Sequence, residues 1–330
     1  MKLHKALVVN CFFAALWLFG NGVFAQVKPG FSPAKGLRAI QNKYGLDPNK
    51  PLLSRVAATP EDVLKMFRDA GMDPTEHPMN KEEMQIVAKA FAVLPPLHQR
   101  VLEQHLRSIS FLDNMPNTAL TSPVTKDEGT DLFHITFRAG ILHQTISEWA
   151  TEKERTCFEK GDSTTSVSIH AGLMSALTYV LLHESTHVVD GSTGLLKVDT
   201  IEGKPKPNAF TLNFTNGVWQ SANVHDRLYQ DPLLLQSRFR PGGRRFVPAE
   251  ALTVYAALAK TPFASLYSMA SWHEDLAELL TIYHLTEKYK QPFRVSVSCK
   301  GREIAHYEPM RSALVRQRIK VLQRFYSKKA

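Results

Sequence analysis

Cysteine is scarce, with three in 330 residues. Cys11 falls in the first apolar stretch, and neither Cys157 nor Cys299 has the spacing of a metal knuckle. A disulfide-dense scaffold and a cysteine-ligated metal are therefore excluded. Cys157 and Cys299 remain a candidate disulfide, closing a loop of about 140 residues and stabilising by roughly 4–5 kcal/mol. Long apolar runs are also lacking. Ala6 to Phe19 is the longest and falls short of the roughly 20 residues a membrane span needs. Internal repeats and low-complexity tracts are missing too. The formal net charge is +9, yet the basic clusters Arg238 to Arg245 and Arg311 to Lys329 carry no nucleic-acid-binding motif, so no nucleic-acid partner is expected.

The first 25 residues have a different purpose. Lys2 and Lys5 form a positive start, Ala6 to Phe19 an apolar centre, and Val23-Phe24-Ala25 a cleavage site before Gln26. That is the pattern of a secretory signal peptide. Cleavage would leave Gln26 to Ala330 as a secreted or periplasmic product without a membrane span. Removing the two lysines lowers the charge from +9 to +7.

Beyond Gln26 the pattern is mostly helical. A lead-in over 26–58 holds one short helix near Leu37 to Tyr44. Thr59-Pro60-Glu61-Asp62 starts a helix, with a capping hydroxyl, proline at the first position and acids at the positive end. A second helix opens at Asn80 and stops at Pro95-Pro96. A third follows, with Leu97, Val101, Leu102, His105, Leu106 and Ile109 at helical spacing. Phe111 to Gly129 reads as loop, and Phe133 to Ile141 as a strand able to receive a substrate peptide along its edge. Ser147 to Phe158 reads as helix, Ser168 to Val189 as one long buried helix, and 190–247 as irregular. Helices at Ala249 to Ala259 and Trp272 to Tyr289 complete the pass. The fold class is α+β, predominantly helical. A helical N-terminal region over 26–128 precedes a catalytic part over 129–330, with a long insertion at about 190–260.

The chemistry is concentrated in His183-Glu184-Ser185-Thr186-His187. Two histidines four apart share one helix face, and the glutamate beside the first projects toward a metal-bound water. Hydrolysis by a metal needs three protein ligands and one open position. Asp190 and Thr193 stand where a metzincin needs glycine and histidine, which excludes that class. A later helix offers Trp272-His273-Glu274-Asp275-Leu276-Ala277-Glu278: Glu274 as third ligand, and Glu278 one turn on to orient a metal histidine. Asp275 competes with Glu274, and His273 points about 100° away on the same helix.

This pairing of His-Glu-x-x-His with Glu-Asp-x-Ala-Glu resembles the gluzincin metallopeptidases, including thermolysin and the anthrax lethal factor group. The resemblance covers the motif helix and residues 262–280, less than a fifth of the chain. It implies one zinc ion per chain held by His183, His187 and Glu274, with Glu184 as general base. In the lethal-factor-like members a tyrosine seven residues before the glutamate points at the zinc. Tyr267 has that spacing, so the resemblance implies that it stabilises the oxyanion. His225 and His170 are weaker candidates for the same duty. The activity expected is hydrolysis of a peptide amide in a protein, a peptide or a cell-wall peptide stem. An amidase acting on such stems, or a zinc-binding envelope protein without catalysis, remains the alternative.

Overall fold

The computed structural model describes residues 33–124, 132–161 and 164–327. The proposed signal peptide, residues 1–25, lies outside the described residues. No helix among those described is long and apolar enough to cross a membrane.

The architecture is α+β. Helices α1 (Pro33–Lys43), α2 (Glu61–Asp69), α3 (Lys81–Ala92) and α4 (Pro96–His105) come first, with the short strand β1 (Thr75–Glu76) between α2 and α3. Asn80 and Glu83 cap α3 reciprocally, each side chain accepting from the other's backbone N–H at 2.9 Å. Strands β2 (Leu106–Asp113), β3 (Ala119–Pro123) and β4 (Phe133–Arg138) then complete a four-stranded sheet in the order β1-β2-β4-β3. β2 runs parallel to β4, and β3 antiparallel to it. The sheet draws strands from both sides of residue 128.

Next come α5 (Ile146–Arg155), β5 (Thr165–His170) and α6 (Ala176–Thr193). The 190–260 stretch holds the hairpin β6 (Val198–Ile201) and β7 (Lys204–Pro207), the short helix α7 (Ala209–Thr215), and the pair β8 (Trp219–Ser221) and β9 (Val224–His225). Helix α8 (Ala251–Leu258) and helix α9 (Trp272–Tyr283) follow. Strands β10 (Arg294–Cys299) and β11 (Arg302–Tyr307) then join β5 in an antiparallel sheet ordered β11-β10-β5. Lys300 and Gly301 both take positive φ, 50° and 77°, as a two-residue hairpin turn demands.

Three expectations need correcting. The helix read through Ile109 ends at His105, and Leu106 begins β2. β2 is buried on both faces, so its apolar residues do not alternate and their spacing imitates a helix. The helix read from Ser168 is β5 followed by α6. Between them Gly172 turns the chain at φ +80°, where an added Cβ would stand 2.0 Å from Gln291 Oε1, and Ser175 caps α6. Finally, β4 is paired on both sides. The edge beside the motif helix belongs to β3, inside the stretch read as loop.

One apolar core runs from α3 and α4 through the parallel strands to α6 and α9. It contains uncharged histidines. His98 donates from Nε2 to Thr186 Oγ1 at 3.0 Å, because that hydroxyl already donates to Leu182 O. His134 lies between the Ser108 and Ser110 hydroxyls. Burial pushes His98 and His134 down to about 3 and His225 and His284 to about 4. An unfolded chain takes up these protons below about pH 6.5, whereas the fold refuses them until pH 3–4. Stability should therefore be full above about pH 6.5 and fall as the pH drops. Glu154, raised to about 6 by burial, works the other way, as do Asp275, His183 and His77, whose values are also raised, but the four depressed histidines dominate between pH 7 and pH 4.5. Urea unfolding at pH 7 and pH 4.5 should differ by several kcal/mol. Equal values would contradict charge-free burial.

The candidate disulfide is absent. Cys157 and Cys299 are both free. Cys157 is in the core at the end of α5, where burial pushes its thiol up. Cys299 ends β10 opposite Thr165, with Sγ 3.8 Å from Thr164 Oγ1.

Candidate metal centre

Helix α6 is buried from Ala176 to His183 and again from Ser185 to Asp190. A buried helix must satisfy its polar side chains, and Ser185 and Thr186 do so by donating to Leu182 O at 3.1 and 2.8 Å. His183 and His187 lie one turn apart and face α9. There Ser271 caps the helix, its hydroxyl accepting from Glu274 N at 3.3 Å. The Ser-x-x-Glu pattern allows a reciprocal cap. Only half of it forms, because the Glu274 carboxylate is turned to the histidines.

Three donor atoms converge there. His183 Nε2 lies 3.0 Å from Glu274 Oε2, His187 Nε2 lies 3.4 Å from the same oxygen, and the two nitrogens are 3.3 Å apart. Ligands held tetrahedrally at about 2.0–2.2 Å from an ion stand roughly 3.3–3.6 Å from one another. The triangle has almost that size, and all three residues are buried. Without an ion the geometry is poor: two imidazole nitrogens this close cannot both carry hydrogens. The cluster fits a metal ion.

Charges around it are strongly coupled. Burial opposes charge on His183, but Glu274 and Glu278 hold its pKa up at about 10. Burial likewise favours a neutral Glu274, yet His187 and His183 keep it well below the usual carboxylate range. Glu278, also 2% exposed, is brought down to about 2 by Lys153, His183 and Ser265 despite burial. Its Oε1 is 3.1 Å from His183 Nδ1, a close approach that completes no regular hydrogen bond. Its Oε2 accepts from Ser265 Oγ at 2.6 Å. Glu278 therefore stands beside the ring nitrogen of His183 that does not face Glu274.

Asp275 is occupied elsewhere. Arg318 grips both its oxygens, at 3.0 and 2.5 Å, and Trp219 Nε1 donates at 2.8 Å. It faces away from the histidines, leaving Glu274 as the third donor. His273 is likewise engaged, its Nδ1 2.6 Å from Asp190 Oδ2, which ties the end of α6 to α9.

Glu184 is half-buried at a cleft of about 50 Å³, lined also by Thr118, Ala119, Trp149, Lys153, Val180, His183 and Tyr267. Its Oε2 accepts from Thr121 Oγ1 on β3 at 2.6 Å. Tyr267 stacks on His183 with centroids 5.7 Å apart, and Phe239 packs edge-on against its ring. Burial, with Glu274, Glu184 and Glu278 near by, pushes its hydroxyl pKa far up, so it remains a proton-bearing donor. His225 is held by Met269 O and Arg240 among aromatic rings, and His170 is exposed on β5. Neither lines the cleft. Thr121, Ser265 and Lys153 were not foreseen. Thr121 was hidden by the missed strand, and Ser265 and Lys153 stand in no motif.

Comparison with protein-family models, curated proteins and solved structures finds no match for this chain.

Proposed function

We propose that this chain is an exported zinc metallopeptidase of gluzincin type, with a helical region over 26–128 ahead of a catalytic part over 129–330. The observation that carries the reading is the convergence of His183, His187 and Glu274 within 3.0–3.4 Å, beside a glutamate that faces a cleft. When bound, zinc would act as a Lewis acid, lowering the pKa of a water and polarising a carbonyl. His183, His187 and Glu274 would hold it.

The remaining steps belong to side chains already in place. Thr121 fixes one oxygen of Glu184, so the carboxylate is oriented before substrate arrives and can take the water's proton. As general base it would then return that proton to the leaving amine. Tyr267, protonated at neutral pH, is suited to donate a hydrogen bond to a developing oxyanion. Glu278 steadies His183 from behind. The export pattern over residues 1–25 would put this chemistry outside the cytoplasm, with a peptide, a protein or a cell-wall stem as substrate.

Metal analysis of the purified chain tests the reading first. About one zinc per chain is expected, lost in His183→Ala, together with chelator-sensitive cleavage of a broad peptide library. A chain that binds no zinc ends the proposal.

A further inference from the structure

We infer that Lys153 sets the specificity of the cleft by binding a carboxylate on a small substrate residue next to the scissile amide; this rests on the peptidase reading above. Lys153 is presented by α5 and is the one lysine or arginine among the described residues lining the space shared by Glu184, His183 and Tyr267. Its side chain is 15% exposed. Nζ lies 4.0 Å from the Tyr267 ring centroid and 5.2 Å from that of Trp149. The indole is itself fixed, its Nε1 donating to Thr118 Oγ1 at 3.3 Å. The ammonium is therefore held in place by two rings.

Its nearest anion is Glu278, in an ion pair with Nζ 3.5 Å from Oε1, whereas a charge-assisted hydrogen bond closes to about 2.8 Å. The other oxygen of that carboxylate accepts from Ser265, and Oε1 also stands 3.1 Å from His183 Nδ1. Glu154, the adjacent acid on α5, is turned to the Tyr255 hydroxyl. Lysine carries three donors. A structural salt bridge would have used at least one at full strength. Here the one ion pair is long, which leaves donor capacity for a ligand on the wall of a cleft that also holds the proposed base. The enclosed part of the cleft is small, about 50 Å³, room for a few water-sized groups, so a larger side chain would have to extend out of it toward solvent. A carboxylate on a small residue fits, supplied either by the free chain end of a glycine or alanine or by an aspartate side chain.

The test uses the full chain carrying Glu184→Gln, zinc-loaded, so that binding is read without turnover. Three probes are titrated calorimetrically: N-acetyl-trialanine as the free acid, the same peptide as its amide, and that amide with aspartate in the last position. The acid should bind at least tenfold tighter than the amide. Adding Lys153→Met should erase the difference while zinc content stays at one per chain, and Lys153→Arg should restore much of it. Tight binding of the aspartyl amide assigns the carboxylate to a side chain, and weak binding assigns it to the chain end. Equal affinity for all three probes, or a preference surviving in Lys153→Met, overturns the assignment of Lys153. Failure of the native chain to hydrolyse any peptide would sink the peptidase reading instead, because the binding comparison stands without it.

Discussion

Replacing Glu184 by glutamine should lower peptide hydrolysis by about 10²–10⁴-fold while leaving zinc content at one per chain. The range is the usual worth of a positioned proton acceptor. Metal content should hold because Glu184 is not among the three converging donors, and its known contact is with Thr121 Oγ1. His183→Ala should do the opposite, emptying the centre and removing activity with it. The contrast between the two variants is the informative result. A Glu184→Gln protein that has lost its metal would make this residue a ligand, and one that keeps full activity would leave the reaction without its base. A zinc-binding protein without catalysis would show no activity to lose.

Arg318→Met should destabilise the fold by roughly 3–5 kcal/mol, the cost of leaving a buried charge without its partner. Asp275 is fully buried, and burial raises its pKa against the pull of Arg318 and Trp219. Arg318 also donates to Pro262 O at 3.0 Å and lies over the Phe214 ring. The loss therefore includes packing as well as charge. Urea unfolding of the metal-free protein reads it directly. Pairing Arg318→Met with Asp275→Asn should recover part of the loss, because the uncompensated carboxylate is gone. A single variant within 1 kcal/mol of the native chain would show that the pair contributes little. The same experiment bears on ligand choice: Asp275→Asn should retain zinc, and Glu274→Gln should lose much of its affinity.

These residues also show where sequence alone stops. The histidines and Glu184 were legible because helical geometry fixes the direction of positions four apart, whatever surrounds them. Glu274 and Asp275 were not separable in that way. Adjacent acids at the start of a helix look equivalent until Arg318, 43 positions later, takes one of them. The parallel strands failed for a different reason. Leu106, Ile109 and Phe111 are buried whichever face they occupy, so their spacing carries no period to read. β3 was short and polar enough to pass for loop, and with it went Thr121 and the true edge of the sheet. The uncharged histidines could not be foreseen either, since nothing local distinguishes His98 from an exposed residue. Lys153 lacked any motif, and its meaning comes only from what stands opposite.

The separation of 91 positions between His183 and Glu274 also has a consequence for the order of events. In a zinc finger the ligands are near neighbours in the chain, so metal capture can drive folding. Here the third donor reaches the histidines only after the excursion between them has been closed and the two helices have packed. A chain emerging from the ribosome presents the histidine pair long before its partner. Metal acquisition should therefore follow folding in time, and a chelator present only during refolding should delay activity without reducing the yield of folded protein.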